Sequence, residues 1–398
     1  MSPHIFLVAA EESGDRLGAS LIAAIRRRCP GARFSGVGGS QMAAQGVASL
    51  FPLGELAIIG FVAIFTNLPN ILSRIRQTAD AVIAAKPDVL VIIDSPDFTH
   101  RVAHRVRARA PHIPIVDYVC PSVWAWRSGR ARAMTHYVDY VLALLPFEPK
   151  VMRELGGPPC TYVGHPLIEQ LSELRPNAEE ARRRLADPPR LVVLPGSRGR
   201  EIRRMAGIFG EAVALAAART SALEVVVPSV PRLADEVRSA VAAWRVPARV
   251  VSDADEKHAA FRTARAALVK SGTSTLELAL AGVPMVTAYK VPLVEEVVGR
   301  ALLKVDTVIL ANLVLGEILV PEFLQADCNA EALAGALVSL LVDSPERRRQ
   351  IEAFGRLDGL MATGQGAPSD RAAALVLDCA GGLNQPMRET VASALPSA

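Results

Sequence analysis

The chain has 398 residues, of which 51% are AVILMFWYC and 21% charged, and a net charge of +4. That length predicts two domains, the apolar content excludes a disordered chain, and so small a charge gives no argument for a nucleic-acid partner. Five cysteines, Cys29, Cys120, Cys160, Cys328 and Cys379, stand far apart and odd in number. They form neither a disulfide framework nor a zinc spacing, and they fit a reducing cytoplasm.

The opening MSPHIFLVAAEESGD has no basic stretch and no long apolar run, so Ile5–Ala9 is expected as a first β-strand and not a signal peptide. EESGD follows that strand. Glu11, Ser13 and Asp15 either face a ligand cleft there, or Ser13 or Asp15 caps a helix over Leu17–Arg28. Arg33–Val37 is the next strand. Leu56–Phe65, LAIIGFVAIF, is ten residues long, short of the roughly 20 a membrane span needs. Arg74 and Arg76 follow it. Leu56–Arg76 is therefore either an interfacial membrane contact or a core element.

Val89–Asp94 is a strand ending in IDSPDF, with Asp94 and Asp97 at its carboxyl end. Such a carboxylate can act as a general base toward a sugar hydroxyl, or cap the helix over Phe98–Ala110. His100 and His104 share a helix face, but HRVAH lacks the acidic residue of a zinc motif, so a solvated helix is expected. Ile115–Val119 leads into SVWAWR. Trp124 and Trp126 alternate, so an extended chain puts them on one side, to pack a core or line an acceptor site, with Arg127 beside them. Tyr140–Leu145 and Thr161–Val163 complete the first set of strands.

The domain break is expected near Gly164–Ala186, giving 1–170 as one domain, 171–345 as a second, and 346–398 as C-terminal helices and tail. Second-half strands are Leu191–Leu194, Leu223–Val227, Ala248–Val251, Ala266–Val269 and Met285–Tyr289. Near-continuous Val/Ile/Leu runs alternating with helical periods predict an α/β chain of two doubly wound parallel sheets.

Two segments stand out. LVVLPGSRGR places Gly196, Ser197 and Arg198, and KSGTSTLELALAGVP places Ser271, Gly272 and Thr273, each between a strand and a helix. Backbone N–H groups of such turns can hold phosphate, so two of them predict a nucleotide diphosphate gripped from two sides. Glu277, one turn into the second helix, is placed to accept from a ribose diol. Farther on, Asn312, Glu317 and Gln325 either reach a sugar or belong to a polar loop leading to an amphipathic helix.

EESGD, GVGGSQM, IDSPDF, PSVWAWR, YVGHPL, LPGSRGREI, SGTSTLELALAGVP and ANLVLGE…VPEFLQ occur in this order between residues 11 and 325. Together they resemble the lipid-A-disaccharide synthase family over about four-fifths of the chain. The resemblance implies a GT-B fold, two Rossmann-like domains facing a cleft, the second holding the sugar nucleotide. It implies an inverting transfer from UDP-2,3-diacylglucosamine to 2,3-diacylglucosamine 1-phosphate (lipid X), giving a β(1→6) disaccharide and UDP. No metal or other cofactor is implied, and the protein is expected on the cytoplasmic face of the inner membrane, with Leu56–Arg76 as the membrane contact.

On this reading Asp97 is the base. Glu11 and Ser13 join it at the catalytic centre, where they position the sugars or the lipid X phosphate, and Asp15, Trp124, Trp126, Arg127, Asn312, Glu317 and Gln325 position the substrates. Three positions depart from the family pattern: Ala10 for a glycine, Ala311 for a proline, and Gly316 for an arginine. The last helices either return to the first domain or exchange between subunits of an oligomer. Two other readings stand beside it: an enzyme like UDP-GlcNAc 2-epimerase or a peptidoglycan glycosyltransferase, built on the same fold, and a non-catalytic sugar-nucleotide-binding module at the membrane.

Overall fold

The computed structural model describes residues 2–56, 61–220, 222–292, 305–364 and 366–381 and, of 61–68, the backbone alone. The chain divides into two units, Met1–Pro166 with Thr363–Ala398, and Leu167–Ala362.

The first unit is built on six parallel strands: β1 (His4–Ala9), β2 (Arg33–Val37), β3 (Val89–Ile93), β4 (Ile115–Tyr118), β5 (Tyr140–Ala143) and β6 (Cys160–Tyr162), in the order β2-β1-β3-β4-β5-β6. The strands are apolar on both faces because both faces are covered. Phe6, Val8, Leu90, Ile92 and Val141 pack on one side with Ile75 and Val82 of helix Phe61–Ala85 and Val102 of helix Pro96–Arg109. Ile5, Leu7, Val91 and Val116 pack on the other with Leu21 and Ile25 of helix Glu12–Arg28. Each such fully buried side chain contributes about 1.5–3 kcal/mol.

The second unit repeats the plan with β7 (Arg190–Leu194), β8 (Glu224–Pro228), β9 (Ala248–Val251), β10 (Ala266–Lys270), β11 (Met285–Tyr289) and β12 (Glu322–Leu324), in the order β12-β11-β10-β7-β8-β9. β12 departs from the expected polar loop. Three residues carry no readable period; their pairing is fixed from outside by Thr287, whose N–H (3.1 Å) and hydroxyl (2.9 Å) both donate to Pro321 O.

The chain's ends sort differently from the sequence boundaries. Helix Pro345–Leu360 belongs to the second unit. Its Gln350 side chain accepts from Met285 N–H (2.8 Å) and donates to Met285 O (3.2 Å), pairing with the first residue of β11. Helix Pro368–Ala380 lies in the first unit, where Ala372, Ala373 and Val376 join the core beside helix Glu12–Arg28 and Asp370 pairs with Arg27 at 2.8 Å.

Of the segment Leu56–Arg76, residues 57–60 and the side chains of 61–68 lie outside the described residues. At its described end Arg74 donates to Glu55 (Nε–Oε2 2.8 Å) and lies over the Phe51 ring. No helix among the described residues is long and apolar enough to cross a membrane.

Gly164 of YVGHPL has φ +103°, and a Cβ there would stand 2.5 Å from Thr363 Cγ2 and 2.8 Å from Pro368 Cγ, where the chain returns to the first unit. Gly164→Ala is expected to cost about 1–3 kcal/mol from the backbone conformation alone. Urea unfolding followed by circular dichroism checks this; an unchanged midpoint would contradict it.

Candidate active site

In the first sheet the connections diverge between β1 and β3, because β2 lies on one side of β1 and β3 to β6 run away on the other. Such a switch point leaves the turns at the strands' carboxyl ends uncovered, which is where α/β sheets hold ligands. The register pairs Ala9 with Ile93, so the turns holding Glu11 and Asp94 are neighbours. Ser13 Oγ donates to Asp94 Oδ2 at 3.1 Å. Asp94 and Ser95 both have left-handed backbone, φ +55° and +46°, two consecutive strained residues. The Asp94 carboxylate accepts Ser95 N–H at 2.7 Å, and Ser95 Oγ is buried without a partner among the described residues.

Neither capping expectation holds here. Helix Glu12–Arg28 begins at Glu11 without a side-chain cap, and Ser13 and Asp15 lie inside it. Buried Asp15 instead accepts from the N–H groups of Gly39 (2.7 Å), Gln41 (2.9 Å) and Met42 (3.0 Å), capping the following helix Ser40–Ala44. Three bonds to one buried carboxylate correct its assignment to substrate positioning: Asp15 is structural. Glu11 and Ser13 are exposed.

Asp97 opens helix Pro96–Arg109 with its side chain 72% exposed, paired with Arg130 (3.0 Å) and Arg127 (3.4 Å). Both guanidiniums also lie over Trp126, at 4.2 Å for Arg127 and 5.9 Å for Arg130. Arg130 was not singled out from sequence; it stands three residues, nearly one helical turn, after Arg127. Trp124 does not share the side of Trp126, because Ala125 and Trp126 N–H groups both bond to Ser122 O and fold the segment into a turn. Trp124 packs edge-on against Phe147, and its Nε1 donates to Glu148 at 3.3 Å. His100 bonds Asp117 (3.0 Å) and Tyr137 (3.1 Å), so it is a buried hydrogen-bonded residue and not a solvated one.

In the second sheet the connections diverge between β7 and β10, and Leu194 pairs with Val269. The two glycine turns seen in the sequence therefore lie side by side at this switch point. Gly196 has φ +141°, and a Cβ there would meet Glu201 Cβ at 2.5 Å, so only glycine fits. Ser197 N–H is already used, donating to Glu201 at 3.0 Å, while the N–H groups of Gly196 and Arg198 have no acceptor among the described residues. Arg198, mostly exposed, touches Glu201 at 3.4 Å. Across the switch point, Ser271 is buried and its N–H donates to Ala288 O (3.1 Å), leaving the N–H groups of Gly272 and Thr273 without an acceptor among the described residues. The helix that follows has only seven residues, so this turn offers amides and not a long helix dipole. Glu277 is half-buried and accepts from Lys257 Nζ at 2.8 Å.

Sequence reasoning did not single out Glu201 or Lys270. Lys270 Nζ lies 3.1 Å from Glu201. Burial alone would raise the Glu201 carboxyl; Lys270, the Ser197 N–H and Arg198 outweigh it and hold it low.

Three expected sugar contacts are committed elsewhere. Buried Asn312 donates to Val320 O (3.0 Å) and Thr307 (3.2 Å) and accepts from Leu319 and Val320 N–H, so its amide is fully used within its own loop. Glu317 is held by Arg349 (3.1 Å) and Arg356. Gln325 accepts from Val291 N–H at 2.8 Å and donates to Val291 O at 3.3 Å. Gly316, where the family pattern has arginine, has φ +71° and ends helix Leu310–Leu315 in the left-handed conformation glycine favours. No group of three or more His, Cys, Asp or Glu that could hold a metal ion occurs among the described residues.

Two doubly wound units of this kind make the GT-B fold of glycosyltransferases and sugar-nucleotide epimerases. A putative UDP-N-acetylglucosamine 2-epimerase from Listeria monocytogenes is similar with a TM-score of 0.60 and 14% identity, covering 97% of this chain and 99% of that one. The calicheamicin glycosyltransferase CalG4 gives 0.59 and 18%, covering 96% and 100%. At that identity the likeness concerns the fold alone. The family model for Lipid-A-disaccharide synthetase matches residues 5–363. Lipid-A-disaccharide synthase of Nitrobacter winogradskyi is 62% identical over 378 residues, 95% of this chain and 96% of that protein; that of Rhodospirillum centenum is 45% identical, covering 94% of each. The chain belongs to the lipid-A-disaccharide synthase family. It is a glycosyltransferase of lipid A disaccharide synthesis, with a nucleotide sugar and a lipid as substrates.

Glu148 carries a pH prediction. It is buried under Trp124 and also accepts from Leu144 (3.1 Å) and Leu145 (2.9 Å) N–H groups. Burial pushes its carboxyl up to about 8, against these donors, from an ordinary 4.5. Between those two values the folded chain holds a proton that the unfolded chain has lost, so folding stability falls as pH rises across that window. Glu148→Gln is expected to flatten that fall, measured as unfolding midpoints from pH 5 to 9; an unchanged slope would contradict it.

Proposed function

We propose that the enzyme transfers the diacylglucosamine of UDP-2,3-diacylglucosamine to the 6-hydroxyl of lipid X with inversion, forming the β(1→6) disaccharide 1-phosphate and UDP. The observation that carries the donor half is the pair of adjacent turns in the second unit with free amides at Gly196, Arg198, Gly272 and Thr273. Amides fixed by a sheet end need no reorganisation to meet the charge that develops on a leaving diphosphate. Arg198 adds a mobile positive charge, and Glu277 accepts from the ribose hydroxyls after releasing Lys257.

The acceptor half is assigned to the first unit. Asp97 takes the proton of the acceptor 6-hydroxyl as that oxygen forms the new bond to the anomeric carbon. The bond from this carbon to the diphosphate oxygen breaks, and UDP leaves with the electron pair. A diphosphate is a good leaving group, so no protein acid is assigned. Arg127 and Arg130, lying over Trp126, hold Asp97 and stand ready for the 1-phosphate of lipid X; Glu11 and Ser13 contribute the open edge of the same switch point. No metal or cofactor is assigned.

Both substrates are acylated, so we place the enzyme on the cytoplasmic face of the inner membrane, peripherally, through Leu56–Arg76. We assign acceptor and membrane binding to the first unit, Met1–Pro166 with Thr363–Ala398, in place of 1–170, and donor binding to the second, Leu167–Ala362, in place of 171–345.

The test is an assay in detergent micelles with both lipids and EDTA, followed by mass spectrometry. A diacylglucosamine disaccharide 1-phosphate is the expected product; UDP-GlcNAc epimerisation, or UDP binding without any turnover, would overturn the reading. In the same assay Asp97→Ala is expected to lower kcat by about 10²- to 10⁴-fold, with UDP affinity little changed. Near-normal turnover would remove Asp97 from the role of base.

A further inference from the structure

Lys270 ends β10, the strand that adjoins β7 at the second switch point. Side chains alternate along a strand, and Ala266 and Leu268 face helix Gly199–Arg219 in the core of this unit. Lys270 therefore emerges on that same face, just past the last core layer, above the first turn of that helix. There its ammonium meets Glu201 at 3.1 Å and lies 4.3 Å from the centroid of the Tyr289 ring. It also reaches the other turn: a Cβ built on Gly272 would be 4.0 Å from Lys270 Nζ. Glu201 in turn holds Ser197 N–H. One ammonium thus stands beside both turns, linked to the first through Glu201 and within 4.0 Å of a Cβ built on Gly272 in the second.

An ammonium has three N–H donors, and Glu201 occupies one side of it. The Lys270 side chain is only 14% exposed, so its charge acts where water is sparse. Glu201 alone does not explain the lysine, because the carboxylate already has the Ser197 N–H and Arg198 as partners.

We propose that Lys270 binds the diphosphate of the nucleotide sugar directly, bridging the turn at Gly196–Arg198 and the turn at Gly272–Thr273. The inference rests on the donor assignment under Proposed function. Glu201 is its positioning residue: it aims the ammonium between the turns and fixes the Ser197 amide. The substrate class is a nucleoside diphosphate, and the pyrophosphate is the part recognised.

The test is titration calorimetry of the full chain with UDP, alongside uridine binding by ligand-observed NMR. Lys270→Met is expected to weaken UDP binding by about tenfold or more, the loss of one charge-assisted hydrogen bond, and to leave uridine binding unchanged. Lys270→Arg, which keeps the charge, is expected to bind UDP within about threefold of the parent, and it covers the case in which the methionine variant does not fold. The double variant Lys270→Met, Glu201→Gln separates contact from support. A lysine that only neutralised Glu201 would become dispensable once that carboxylate is gone. The proposal expects the double variant to stay as weak as Lys270→Met. Unchanged UDP affinity in Lys270→Met, an equal loss for uridine and UDP, or recovery in the double variant would overturn it while leaving the donor assignment intact. A parent chain that binds no UDP would overturn both.

Discussion

The site depends on one constraint, the way a parallel sheet reverses the direction of its connections. Every parallel strand must be followed by a crossover, and where successive crossovers part company the strand ends between them have no helix above. This chain does that twice, between β1 and β3 and between β7 and β10. The apolar cores hold these strand ends in register, Ala9 with Ile93 and Leu194 with Val269. Strained Asp94 and Ser95 and left-handed Gly196 occupy those ends because the sheets on either side fix them there.

The two switch points are chemically different, and the difference follows from their side chains. The first gathers Ser13, Asp94 and Asp97 with Arg127 and Arg130 over an indole ring. That set suits proton transfer and recognition of a hydroxyl or phosphate. The second gathers backbone amides with Arg198 and Lys270, a set for binding a polyanion. Glu201 prevents the second from being merely positive: it holds one amide and one ammonium in place while the others stay open.

Much of this was legible in the sequence. Eleven strands read as apolar runs, and all eleven are present within a residue or two at each end, because both faces of each sheet are covered and the runs are nearly unbroken. The glycine turns were legible as well, since Gly196 sits where no side chain fits. What stayed hidden depends on distant partners. Asp15 looks like a ligand-facing acid until Gly39, Gln41 and Met42 are brought to it. Asn312 looks like a sugar contact until its loop closes around it. β12 is too short for a period, and Lys270 reads as the polar end of a strand until Glu201 and the Gly272 turn fix its place. Family resemblance supplied the reaction; the bonding of individual side chains came only from the fold.

In the proposed reaction the second switch point grips the nucleotide by its open amides. Hydrogen–deuterium exchange with and without UDP tests it most directly. The amides of Gly196, Arg198, Gly272 and Thr273 have no acceptor among the described residues and are expected to exchange fast in the free enzyme. UDP is expected to slow exchange in peptides covering both turns together. Saturating UDP that leaves both turns unchanged, or that protects only segments of the first unit, would contradict it.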